Sequence, residues 1–134
     1  MDSQMSLLME VHELIEEYSK MGDSLRHPEN AIIGVEKELK LTAEELNALK
    51  VNEFTHQSIS GIEKIVRDRM ISIFFHFFCI LDGVGDPKFR NDNTVWLGLK
   101  LEQRGLGDER EHEEFLHDML YEAYWKWQEL KSNT

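Results

Sequence analysis

The segment MISIFFHFFCIL, residues 70–81, holds ten apolar residues in twelve and is broken only by Ser72 and His76. A membrane span needs about 20 apolar residues. Here EKIVRDR stands just before the run and DGVGDP ends it, so the segment does not cross a bilayer. Inside a water-soluble chain, a helix that is apolar on every side has to be covered by its neighbours. The run therefore predicts a central helix, from about residue 60 to 82, wrapped by the rest of the domain. With 134 residues and 41% hydrophobic content, the chain is long enough for one such core and short for two. We expect a single helical domain over residues 1–134.

The flanking sequence supplies the wrapping elements. Met5, Leu8, Val11, Ile15 and Tyr18 recur at three- and four-residue spacing, with Glu10, Glu13, Glu17 and Lys20 opposite. This is an amphipathic helix over residues 5–21, with Gly22 as its stop. Thr42 with Glu45 makes a capping box and opens a second helix, taken to about residue 56. Ser60 with Glu63 reads as the cap of the third. Asp108 with Glu111 reads as the cap of a fourth, which runs to about Lys131. The resulting class is mainly α, a four-helix bundle with consecutive helices antiparallel. Two stretches are ambiguous. AIIGVEKELKL, residues 31–41, fits a short helix or a strand, and TVWLGLKLE alternates in the way a strand does. A small two-stranded element joining 31–41 to 93–103 satisfies both.

Charge and cysteine usage narrow the partners. The 26 acidic against 15 basic residues give a net charge of −11, which repels nucleic-acid phosphate and anionic membrane surfaces. The same field attracts a basic protein, at a rate that falls with added salt. Acidity alone also keeps a small protein soluble. Neither nucleic acid nor membrane is an expected partner, no cofactor is implied, and the partners the chain suits are a basic protein and a second copy of itself. One cysteine, Cys79, lies in the apolar run, so no disulfide framework exists within these residues and a reducing cytoplasm is the expected compartment. The N-terminal stretch, MDSQMSLLMEVHELIEE, carries acids where a secretory signal needs lysines.

Three constellations could carry chemistry. On the third helix Ile62, Ile65, Val66, Ile73 and Ile80 share a side with Arg69 and His76. The last two are seven residues apart and stack along one line. An arginine on a core-facing line has to meet a carboxylate or a carbonyl. Arg69 and His76, with six residues between them, resemble the R-x(4–6)-H motif of HEPN-type ribonucleases. That resemblance implies metal-independent RNA cleavage, with His76 activating the 2′-hydroxyl and Arg69 stabilising phosphate charge. Met70 departs from the polar residue that usually follows the arginine in that family.

Glu53 with His56 and Glu109 with His112 reproduce the Glu-x-x-His spacing of carboxylate-bridged di-iron bundles, where residues three apart point at one metal pair. Helix connectivity also suggests that His12, Arg69, His76 and His112 line one polar pocket at a common end of the bundle. Last, Tyr121 and Trp125 lie off the expected core side of the fourth helix, which Ala123 and Trp127 continue. Such a pair is typical of an anchor for another surface. The preferred reading is a non-enzymatic, partner-binding protein of the immunity or inhibitor type. Glu10, Glu13 and Glu17 steer the encounter, and Tyr121 and Trp125 set the residence time.

Overall fold

The computed structural model describes residues 2–31, 37–89, 93–107 and 116–133, except for the side chains of Asp118 and Tyr121. It is mainly helical. In chain order the α-helices are α1 (Ser3–Tyr18), α2 (Gly22–Arg26), α3 (Ala43–Lys50), α4 (His56–Leu81) and α5 (Leu116–Ser132), with 3-10 turns at Pro28–Asn30 and Lys37–Leu39. No strand occurs among the described residues. The chain divides into two compact units, residues Met1–Leu101 and Glu102–Thr134.

The helix ends follow local chemistry. The Asp2 carboxylate accepts a hydrogen bond from the Met5 amide at 2.7 Å and starts α1. The helix stops at Tyr18, earlier than expected. Ser19, fully buried, caps it, and Gly22 opens α2 instead of closing α1. The Thr42–Glu45 capping box starts α3 as the sequence indicates. Hydrogen bonding with the Thr42 side chain, and second with its backbone, holds the Glu45 carboxyl below its ordinary range. The expected extension of this helix to about 56 does not form, because α3 ends at Lys50. α4 begins a turn earlier than expected. Its cap is Thr55 with Ser58, each side chain taking the other residue's amide, so Ser60 and Glu63 lie inside the helix.

α4 packs on α1. Arg67 Nη2 donates to Glu16 Oε2 at 2.7 Å, and a Cβ placed on Gly22 would lie 3.8 Å from Ile59 Cγ2. Gly22, the first residue of α2, thus meets an earlier residue of α4 than Glu16 of α1 does, the order that an antiparallel α1–α4 pair gives. Val11 and Ile15 of α1 and Ile59 of α4 are buried apolar side chains among the described residues. α3 and α2 pack on the Pro28–Asn30 turn, around the buried Pro28.

The far end of α4 is closed by a remote segment. The last carbonyls of a helix have no partner within it. Here Asp82 N bonds Phe78 O, Val84 N and Gly85 N both bond Cys79 O, and Leu99 N bonds Leu81 O at 2.8 Å. The Trp96 indole donates to Ile80 O at 2.8 Å. Residues 93–103, expected as a short strand, instead run past the end of α4, where Trp96 and Leu99 donate to its carbonyls. Of the other half of that expected pair, residues 31–41, positions 32–36 lie outside the described residues and Lys37–Leu39 form a 3-10 turn. Gly83 and Gly98 stand at this crossing with φ of 77° and 95°. Those values suit glycine, because a Cβ there meets the neighbouring carbonyl.

Candidate functional site

The face of α4 that turns inward differs from the one its sequence suggests. Arg69 was expected on a core-facing line with a carboxylate partner. The structure assigns that position to Arg67, which reaches Glu16 of α1 with its Nε buried and without a hydrogen-bond partner in the described set. Two residues amount to about 200° around the helix, so Arg69 points away from α1 and is exposed. The row that contains it is open as well. Ile65 is 65% exposed and Ile73 66%, while Ile62 and Ile80 are half-buried. Phe75, on another part of the open arc, is 64% exposed. The apolar run is helical throughout, but the unit that contains it does not wrap it on all sides.

His76 is exposed on the same row, with its ring 5.8 Å from that of Phe75 and nearly perpendicular to it. Seven residues separate it from Arg69 by about 10 Å of helix rise. The pair of the ribonuclease-like motif is therefore displayed in line along an open helix surface. His12 is exposed too, on the side of α1 away from the Arg69–His76 row. His112 lies outside the described residues. The expected polar pocket of His12, Arg69, His76 and His112 is not assembled by the residues described.

The Glu-x-x-His pairs fare differently from a bundle metal site. Glu53 falls in the connection before α4 and His56 is the first residue of α4, so the two are not carried one turn apart on a helix. Glu109 and His112 lie outside the described residues. Among the described residues no group of three or more His, Cys, Asp or Glu side chains is placed to hold a metal ion. His56 lines an open depression of about 390 Å³ with Gln57, Ser60, Gly61 and Lys64.

The carboxylate face of α1 stands as the sequence indicates. Glu10, Glu13 and Glu17 are exposed and form no ion pair among the described residues. Beside them Leu7, Leu14 and Tyr18, also exposed, make an apolar row along the same helix. Spacings of seven and four keep the three on one stripe. Tyr18 and Met5, expected on the core side with Val11 and Ile15, are 66% and 50% exposed, and Tyr18 continues the line of Leu7 and Leu14, about 60° around the helix from the two buried residues.

In the second unit Trp125 is 50% exposed and its ring meets Tyr124 edge-on at 5.3 Å. Tyr124 also meets Trp127 at 6.0 Å, and Lys131 Nζ lies 3.7 Å over the Trp127 ring. Ala123 and Trp127, expected on a core side, are both exposed. Among the described side chains of α5 the half-buried aromatic is Tyr124, whose hydroxyl accepts from Gln128 at 3.1 Å. No described helix is long and apolar enough to cross a membrane. No protein-family model matches the chain, and no curated protein or solved structure is significantly similar to it.

Proposed function

We propose that the chain is a non-enzymatic binding protein of the immunity or inhibitor type, acting in the cytoplasm by covering a basic protein target. The observation that carries this reading is the open face of α1, where Glu10, Glu13 and Glu17, which form no ion pair among the described residues, run beside the exposed Leu7, Leu14 and Tyr18. Carboxylates beside an apolar stripe suit a partner surface with lysine or arginine around an apolar centre. The charges speed encounter and the apolar contact slows escape. A net charge of −11 extends the attraction over the whole molecule. Trp125 of α5, with Tyr121 one turn before it, supplies a second, aromatic anchor. The lone cysteine fits the reducing compartment. In this reading the four-helix-bundle arrangement is the scaffold that displays the α1 face.

The test is capture by immobilised wild-type chain alongside a Glu10→Gln/Glu13→Gln/Glu17→Gln variant, with the captured proteins identified. The reading predicts basic proteins held by wild type at low salt, released as salt rises, and bound by the variant at association rates roughly tenfold lower or less. Capture that ignores salt, or that the triple variant retains in full, contradicts it.

A further inference from the structure

We infer that two copies of this chain associate through the α1–α4 pair, forming a two-fold symmetric four-helix bundle. The α1 edge of each copy then lies on the α4 edge of the other.

The inference starts from helical register. On α1 the buried residues Val11 and Ile15 mark the direction of α4. The row Leu7, Leu14 and Tyr18 lies about a sixth of a turn from it. On α4, Ile59 and Arg67 mark the direction of α1, and the row Ile62, Ile65, Arg69, Ile73, His76 and Ile80 lies about a third of a turn away, with Ile62, Ile73 and Ile80 nearer α1 and Ile65, Arg69 and His76 on the outer edge. The two helices are antiparallel, so a residue order that turns clockwise on one, seen from one end, turns anticlockwise on the other. Following those senses, both rows emerge on the same side of the pair. One broad face of the α1–α4 pair is therefore apolar across both helices. The other face carries His12, Glu16, Lys64 and Arg67 at the same level.

Charge selects what covers the apolar face. Its α1 edge is bordered by Glu10 and Glu17, whereas its α4 edge holds Arg69 with no described partner and His76. An identical copy turned by a two-fold axis parallel to the helices sets acidic edge on basic edge twice and keeps like edges on the diagonal. The same operation stacks Ile65 and Ile73 against the partner's Leu7, Leu14 and Tyr18. Burial of side chains that are mostly exposed in the single chain drives the association. The net charge of −11 on each copy opposes approach, but at physiological ionic strength it is screened beyond about 8 Å while contact pairs are not. Arg69 and its apolar row thus regain, between two molecules, the covered position that their sequence pattern implies within one. Glu13 stays on the outer side of α1, so the dimer displays two carboxylate ridges. Its interface takes the Leu7, Leu14 and Tyr18 stripe with Glu10 and Glu17, so a basic partner seated on that stripe displaces the second copy, and the mass of the chain alone tests the dimer without reference to that partner.

The experiment is the solution mass of the full chain by light scattering or sedimentation equilibrium, with helicity checked by circular dichroism. Wild type should weigh twice 15.8 kDa. Ile73→Asp, at a site exposed in the single chain, should stay helical and fall to the single-chain mass. Phe75→Asp, on the other part of the open arc, should remain dimeric. Arg69→Glu should weaken dimerisation by at least roughly tenfold, and Glu10→Arg/Glu17→Arg in the same chain should restore it. If Ile73→Asp loses its helicity, the Arg69→Glu reversal and its rescue decide alone. A monomeric wild type, a mass above two copies, dissociation by Phe75→Asp but not by Ile73→Asp, or an Arg69→Glu effect without rescue overturns the inference.

Discussion

Gly98→Ala is expected to lower the melting temperature of the first unit by roughly 10 °C or more. A Cβ on Gly98 would lie 2.7 Å from Gly83 N, closer than side chains tolerate, and the residue sits at φ 95°. Strain of this kind costs about 1–3 kcal/mol, with a further steric contribution because the neighbour is backbone and cannot rotate aside. For a unit of this size each kcal/mol is worth about 4–8 °C. The crossing also carries the Trp96 and Leu99 hydrogen bonds to the end of α4, so the substitution releases them together. Trp96→Phe separates the contributions. It keeps the ring, loses the indole N–H to Ile80 O, and should cost only about 1–2 kcal/mol. Thermal unfolding followed by circular dichroism measures both. A Gly98→Ala variant as stable as wild type would mean that residues 95–101 do not clasp the helix.

The second large effect is expected at Ile15. It is 3% exposed and, with Val11 at 8% on the same helix and Ile59 at 5% on α4, is one of the few buried apolar side chains among the described residues. Ile15→Ala removes buried methylenes and leaves a cavity, for about 2–5 kcal/mol. Domains are typically stable by only about 5–15 kcal/mol, so with so few buried partners to repack, the variant should be largely unfolded at moderate denaturant. Leu14→Ala, one position away on the exposed stripe, should change the stability of the single chain, held monomeric by Ile73→Asp, by less than about 0.5 kcal/mol. Urea titration of the two variants at one protein concentration distinguishes them. Equal losses at both sites would contradict the burial pattern.

Much of the helical architecture is legible in the sequence. The spacing of Val11 and Ile15, the Thr42–Glu45 box and the apolar run near residue 75 each mark a helix that the structure contains. The orientation of α4 is not legible. Its second half is apolar on every side, so periodicity there does not choose an inward face. The inward face is marked by contacts with other helices, Ile59 beside Gly22 and Arg67 on Glu16, while Arg69 points outward. The start of α4 was missed because Thr55–Ser58 caps with a serine where the familiar box has glutamate or glutamine. The role of Trp96 depends on a contact sixteen residues away in sequence, which no local pattern reports. The candidate site divides in the same way. The α1 carboxylates follow from local amphipathicity, whereas the proposed histidine pocket needed long-range placement that the described residues do not have.

The orientation of α4 underlies both the binding face and the dimer. It is tested most directly by double-mutant cycles in urea unfolding, one pairing Glu16→Gln with Arg67→Met and one pairing Glu16→Gln with Arg69→Met. A partly exposed pair couples by about 0.2–1 kcal/mol, so measurable coupling for Glu16 with Arg67 and none with Arg69 is the predicted result. Coupling between Glu16 and Arg69, with none to Arg67, would contradict it.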